Sequence, residues 1–217
     1  MPKNHAFFAA LAIAVLGSSL LAGPAAAQQS SASRTRQGQG QGRGQNEGGG
    51  SQQAIDAVTA KALNTAIEAL NMEKYAEAQA AIDMLKLDKL SPYERSKVEQ
   101  ILFNIAYAQE KYDEARDHLK KSIDAGGLNE QEVSQARYQS AQLYLQQEKW
   151  KEGAAALEDW FKTAQNPNSA AYYLLAVAYY ELQDYGRSLP NAKKASGMAE
   201  NYIKIIDAQA AQQERSS

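Results

Sequence analysis

The chain has 217 residues, no cysteine and a formal net charge of −2. Disulfides, thiol catalysis and a lipid-bearing cysteine anchor are therefore excluded. The Lys and Arg residues are scattered, so the basic patch that nucleic acid or anionic lipid needs is missing.

The first predicted element is a secretory signal over residues 1–27. Lys3 stands in a short polar head, residues 6–16 are apolar, and Gly17, Ser18 and Ser19 interrupt the run before residues 20–22 close it. Pro24 and Ala25-Ala26-Ala27 follow, with Ala25 and Ala27 at the A-x-A positions of a cleavage site. A membrane span needs about 20 mostly apolar residues, and this run is shorter and broken. The expectation is cleavage after Ala27, with no stable membrane insertion afterwards and a periplasmic (exported) product. Without Lys3 the chain keeps 22 basic and 25 acidic residues, a net of −3.

Residues 28–52 are a low-complexity Gly/Gln-rich segment with Arg34, Arg36 and Arg43 against Glu47. It has almost nothing to bury, so it cannot offset the entropy of ordering and reads as a disordered arm.

Residues 53–217 read as one helical domain. Ala, Leu, Glu, Lys and Gln dominate, and apolar residues recur at helical spacing, as in Ile55, Val58, Ala62, Leu63, Ala66, Ile67 and Leu70. Ser91-Pro92-Tyr93-Glu94 places an N-cap, a first-turn proline and a capping-box glutamate in order. Asn129 and Glu132 do the same, Leu128 and Val133 are spaced as a staple across that cap, and Gly126-Gly127 end the helix before it. Pro190 falls in the second turn of a later helix, where a bend is expected.

Four segments repeat an aromatic followed three residues on by a small residue. They are Tyr75/Ala78, Tyr112/Ala115, Trp150/Gly153 and Tyr185/Ser188, with the aromatics 37, 38 and 35 residues apart. In a helical hairpin the small residue lets two helices approach, the aromatic covers the turn, and neighbouring hairpins must stack to bury their apolar faces.

This pattern resembles the tetratricopeptide-repeat (TPR) family over about residues 54–200; TPR units recur at a period of about 34. In the fourth unit Tyr172, Leu175, Ala176, Tyr179, Ser188 and Ala195 fall at family positions. Ala141, Tyr144, Gly153 and Leu157 do so in the third, while the second departs around Ala106-Tyr107-Ala108. The resemblance implies an all-α fold: a right-handed superhelix of about four helical hairpins, with a C-terminal capping helix over residues 202–214. The run NPNSAAYYLLAVAYY at residues 166–180 is similar to periplasmic TPR proteins that accompany TonB-energised uptake systems.

Catalytic and metal chemistry find little support. The mature chain has one histidine, His118, next to Asp117. Adjacent helix positions do not face each other, so His118 is expected at the surface, worth less than ~0.5 kcal/mol. One histidine is too few for zinc, and Glu158-Asp159 read as solvated helix charge rather than a calcium site. No phosphate loop opens a helix after a strand. Lys120-Lys121 and Lys193-Lys194 read as charges favoured at helix C-termini. The expectation is no enzyme, no cofactor and no metal.

What remains is the inner face of the superhelix. The resemblance implies a partner-binding groove of Tyr138, Gln142 and Leu145 in the third unit and Tyr173, Val177 and Tyr180 in the fourth, with Ile101 and Ile105 from the second. Tyr173, Val177 and Tyr180 share a helix face by their four–three spacing, and Tyr172 and Tyr179 take the adjacent one. Tyrosine brings large area with little rotamer loss, and an aromatic-amide groove suits an extended or helical peptide. The functional expectation is a periplasmic adaptor that binds a peptide or segment of another envelope protein, accessory to TonB-dependent transport, with no nucleic-acid partner. The alternative is a structural self-associating protein or a cell-wall or division scaffold, and oligomers are compatible with either.

Overall fold

The computed structural model describes residues 54–214. The expected signal and Gly/Gln-rich arm lie outside the described residues. Among the described residues eight α-helices follow one another: α1 (Ala57–Asn71), α2 (Tyr75–Asp83), α3 (Pro92–Ala108), α4 (Tyr112–Asp124), α5 (Glu130–Gln146), α6 (Trp150–Phe161), α7 (Ser169–Glu181) and α8 (Tyr185–Glu214). Among the described residues there is no strand, and a single 3-10 turn, Leu87–Lys89, joins α2 to α3. No helix among them is long and apolar enough to cross a membrane.

The helices pair in sequence as α1/α2, α3/α4, α5/α6 and α7/α8, and each hairpin packs on the next. The turns inside the hairpins are copies of one another. Glu73, Glu110, Glu148 and Gln183 take left-handed backbone conformations, with φ of 58°, 59°, 57° and 60°. The residue after each donates its N–H back five positions: Lys74 to Ala69, Lys111 to Ala106, Lys149 to Tyr144 and Asp184 to Tyr179. This closure satisfies the helix-end carbonyls, but it puts a side chain where glycine is ordinarily preferred, at about 1 kcal/mol.

The small residues after each turn sit as the packing requires. Ala78 and Ala115 are fully buried, and Ser188 donates its hydroxyl to the Ala176 carbonyl at 2.8 Å. At Gly153 an added Cβ would lie 2.2 Å from Leu145 Cδ2, so the leucine side chain would have to move to admit it. Helix starts are fixed by side-chain caps. Ser91/Glu94 and Asn129/Glu132 both form complete capping boxes. Glu94 is buried and also accepts the Asp56 N–H at 2.8 Å, tying the start of α1 to the start of α3. The loop between α4 and α5 is held against α3 by Gly127, where a Cβ would lie 2.3 Å from Tyr93 Cα.

Three expectations are corrected. Residues 202–214 are no separate capping helix: α8 runs unbroken from Tyr185 to Glu214, through Pro190. Proline forfeits one backbone hydrogen bond, and the helix continues past it. Lys193 and Lys194 consequently lie in the middle of a helix and not at its C-terminus.

The third correction concerns His118. It faces inward, with 13% of its side chain exposed, and its Nδ1 lies 2.7 Å from a carboxylate oxygen of Glu99, whose side chain is 11% exposed. Its partner is across the hairpin on α3, and Asp117 pairs with Lys121 instead. Chain neighbours on a helix diverge by about 100°, so the adjacent Asp117 said nothing about what His118 meets.

Candidate functional site

The common turn hydrogen bond fixes an unambiguous register for the four hairpins, because the acceptors Ala69, Ala106, Tyr144 and Tyr179 are equivalent. Counting back from them, the position taken by Gln142 in α5 is Ile67 in α1, Asn104 in α3 and Val177 in α7. All four are half-buried. The positions taken by Tyr138 and Leu145 are Gln100 and Tyr107 in α3 and Tyr173 and Tyr180 in α7. The departure of the second hairpin is therefore one of residue type and not of length: it carries Ala106 where its successors carry tyrosine. Ile101 and Ile105 fall off this row and are buried in the core between the first two hairpins. Gln100, Asn104 and Tyr107 replace them as candidates, and the turn register would have found them.

The predicted groove residues divide by helix. On α5, Tyr138 and Leu145 are buried in one cluster with Leu157 and Trp160 of α6 and Ala171, Leu175 and Ala178 of α7. The Tyr138 ring lies 4.7 Å from that of Trp160, whose indole N–H donates to Ser134. These two residues are core and not a binding wall, because the following hairpin packs over them. Burial pushes the Tyr138 phenol up to about 12. Its hydroxyl and the Gln142 carboxamide oxygen are buried without a hydrogen-bond partner among the described residues. Gln142 remains at the margin of the row.

On α7 the same positions open outward. Tyr173 is 46% exposed and Tyr180 60%, with Val177 between them. Tyr180 meets Tyr185 of α8 edge-on, with ring centroids 5.7 Å apart. Among the described residues no later hairpin covers this face. Tyr179, on the adjacent face, is fully buried. Its hydroxyl donates to Glu158, Arg187 donates to that hydroxyl at 3.1 Å, and the Arg187 guanidinium lies 4.2 Å from the ring centre. Burial, reinforced by the Glu158 carboxylate, pushes the Tyr179 phenol up to about 12.

The other side of the stack carries two shallow grooves between successive second helices. One of about 490 Å³ lies between α4 and α6, over Ser140 and Tyr144 of α5. The other, of about 750 Å³, involves α6, α7 and α8 and is lined by Glu158, Asp159, Phe161 and Tyr172. Their aromatic floors are already capped by this chain's own cations: Arg116 lies over Tyr144 at 4.1 Å and Lys194 over Tyr172 at 4.2 Å. Among the described residues no cluster of three His, Asp or Glu side chains gathers as a metal site.

No protein-family model and no curated protein matches this chain. Among solved structures, "MamA AMB-1" in one crystal form is 15% identical over 66% of this chain and 99% of its own, with a TM-score of 0.41. A second form gives 15% over 65% and 92%, with a TM-score of 0.43. "MamA MSR-1" gives 14% over 68% and 99%, with a TM-score of 0.34. The fold is of the TPR type. It rests on the four stacked hairpins, their shared turn and the small residue that follows each turn. Likeness at these identities says nothing of what the chain binds.

Proposed function

We propose that this chain is an exported interaction scaffold of the bacterial envelope, which docks a segment of another envelope protein on the α7 face, as an accessory to TonB-dependent transport. One observation carries the docking surface. Tyr173 and Tyr180 are open to solvent at positions whose α5 counterparts are core. Large exposed aromatics grouped on one helix face mark interaction sites, and tyrosines are frequent anchors of such interfaces. Val177 adds an apolar contact between the two rings, and Gln142 and Asn104 supply amides at the equivalent positions of the preceding hairpins. Export rests on the order of residues at the N-terminus, and the link to TonB systems on the resemblance of residues 166–180. No catalytic step is assigned to any residue.

The test is a paired substitution. Tyr173→Ala should leave the fold intact and weaken binding of the captured envelope partner by ~1 kcal/mol or more, as interface anchors do. Tyr179→Ala should cost roughly 3 kcal/mol or more of stability, as removal of a buried aromatic does. Full-affinity binding by a folded Tyr173→Ala, Tyr180→Ala double variant would remove the α7 face from consideration. N-terminal sequencing of the product, expected to begin at Gln28, tests export separately.

A further inference from the structure

The interface between successive hairpins is built the same way three times. The first helix of each later hairpin enters the cleft between the two helices before it. Thus α3 packs on both α1 and α2, and α7 on both α5 and α6, while α5 shares a core cluster with α3 and α4. The turn register makes three positions of the entering helix equivalent. They are Val98, Leu102 and Ile105 in α3, Ala136, Ser140 and Leu143 in α5, and Ala171, Leu175 and Ala178 in α7. All but Ser140 are buried. Their spacing of four and three is one stripe along a helix.

The receiving side is most apolar in the third hairpin, since the second has Gln100 and Arg116 at two of the four equivalent positions. In the third hairpin it is Tyr138 and Leu145 on α5 with Ala154 and Leu157 on α6, all buried under α7. The equivalent residues of the fourth hairpin are Tyr173 and Tyr180 on α7 with Leu189 and Ala192 on α8. All four are exposed, Leu189 at 57%. Among the described residues no helix enters this last cleft.

We infer that the cleft between α7 and α8 receives an amphipathic α-helix of a partner protein, seated as the first helix of a fifth hairpin would be. This rests on the α7 face proposed above, and it adds Leu189 and Ala192 of α8 to that surface. Continuity of the hairpin interface selects a helix over an extended strand, because every equivalent cleft of this chain is filled by one. It also sets the pattern of the incoming face, with aliphatic residues at i, i+4 and i+7. Of the three entering helices α3 carries the most fully aliphatic version of that stripe, Val98, Leu102 and Ile105.

The first helix of a second copy does not fit. At the three entering positions α1 carries Lys61, Thr65 and Glu68, all exposed. Stacking copies head to tail would bury two charges against an apolar floor, which is unfavourable without partners.

The probe is a fluorescently labelled, side-chain-stapled helical peptide of residues 90–110, which carries Val98, Leu102 and Ile105. Titrated with the full chain, its anisotropy should rise saturably with a Kd below about 100 µM. A peptide with Leu102→Glu should not bind. Leu189→Glu in the chain should weaken binding at least about tenfold while keeping the parent's helical circular dichroism. Absence of peptide binding overturns the inference, as does binding that is indifferent to Leu189→Glu. The captured envelope partner separates this reading from the broader one. If Tyr173→Ala weakens that partner and Leu189→Glu does not, the α7 face stands and the helix-filled cleft falls. If sedimentation shows a dimer of the chain that Leu189→Glu abolishes, a second copy covers the cleft and the partner helix is overturned.

Discussion

His118→Ala should destabilise the chain by about 2 kcal/mol, although an isolated histidine between charged neighbours looks dispensable. The imidazole contacts Glu99 at 2.7 Å, and both side chains are nearly nine-tenths covered. No other hydrogen bond to the Glu99 carboxylate is found among the described residues. Glu114 approaches the far ring nitrogen only at 3.9 Å, and Lys121 is engaged by Asp117 at 2.7 Å. Truncating His118 strands a buried carboxylate, which costs about 1–3 kcal/mol, and forfeits the packing of the ring between α3 and α4. An ordinary surface site would change stability by less than about 0.5 kcal/mol, so the two accounts are separable by urea denaturation. The sharper assay is a double-mutant cycle with Glu99→Gln. A carboxamide tolerates burial far better than a carboxylate, so the penalty for losing His118 should fall by about 1 kcal/mol in that background. A cost within about 0.5 kcal/mol for His118→Ala, with no coupling to Glu99→Gln, would refute the argument that this pair holds the second hairpin together.

Three further perturbations test other parts of the structure. Gly127→Ala should destabilise by about 2 kcal/mol or more, because its methyl would press on the backbone of Pro92 and Tyr93 and overpacking of this kind costs about 1–3 kcal/mol; denaturant unfolding indistinguishable from the parent would contradict the packing. Tyr138→Phe should leave stability unchanged or raise it by about 1 kcal/mol, since it removes a buried hydroxyl that has no partner; a loss above about 1 kcal/mol would mean the hydroxyl is hydrogen-bonded. The hydroxyl of Thr59 and the backbone N–H groups beside it hold the Asp56 carboxyl down at about 2, below the ordinary 3.8. A carboxyl depressed in the folded state lends stability that is complete above its unfolded pKa and is lost as pH falls through the folded one, so Asp56→Asn should flatten the stability profile between about pH 4 and pH 2; an unaltered acid limb would dismiss the cap.

Much of this architecture is local and so could be read from the chain. Ser91/Glu94 and Asn129/Glu132 are caps formed by residues three apart, and the small residues at 78, 115, 153 and 188 recur because every hairpin meets the same steric limit. The hairpin count follows from that recurrence. What the sequence left open depends on which element lies opposite. Tyr138 and Tyr173 occupy equivalent positions and have the same chemistry, yet one is core and the other surface, since among the described residues only the first has a further hairpin above it. The register of the second hairpin is obscured because Ala106 stands where the later hairpins have tyrosine, and the backbone bond from Lys111 gives the same equivalence as counting six back from Tyr112. His118 meets Glu99, nineteen residues away in the chain, a pairing that helix periodicity allows but cannot select. Whether residues 202–214 begin a new helix or extend the last one turns on the continuity of the backbone past Pro190, which residue periodicity does not fix. Periodicity determines that a helix has an apolar face; only the packed neighbours determine how much of that face is left to bind something else.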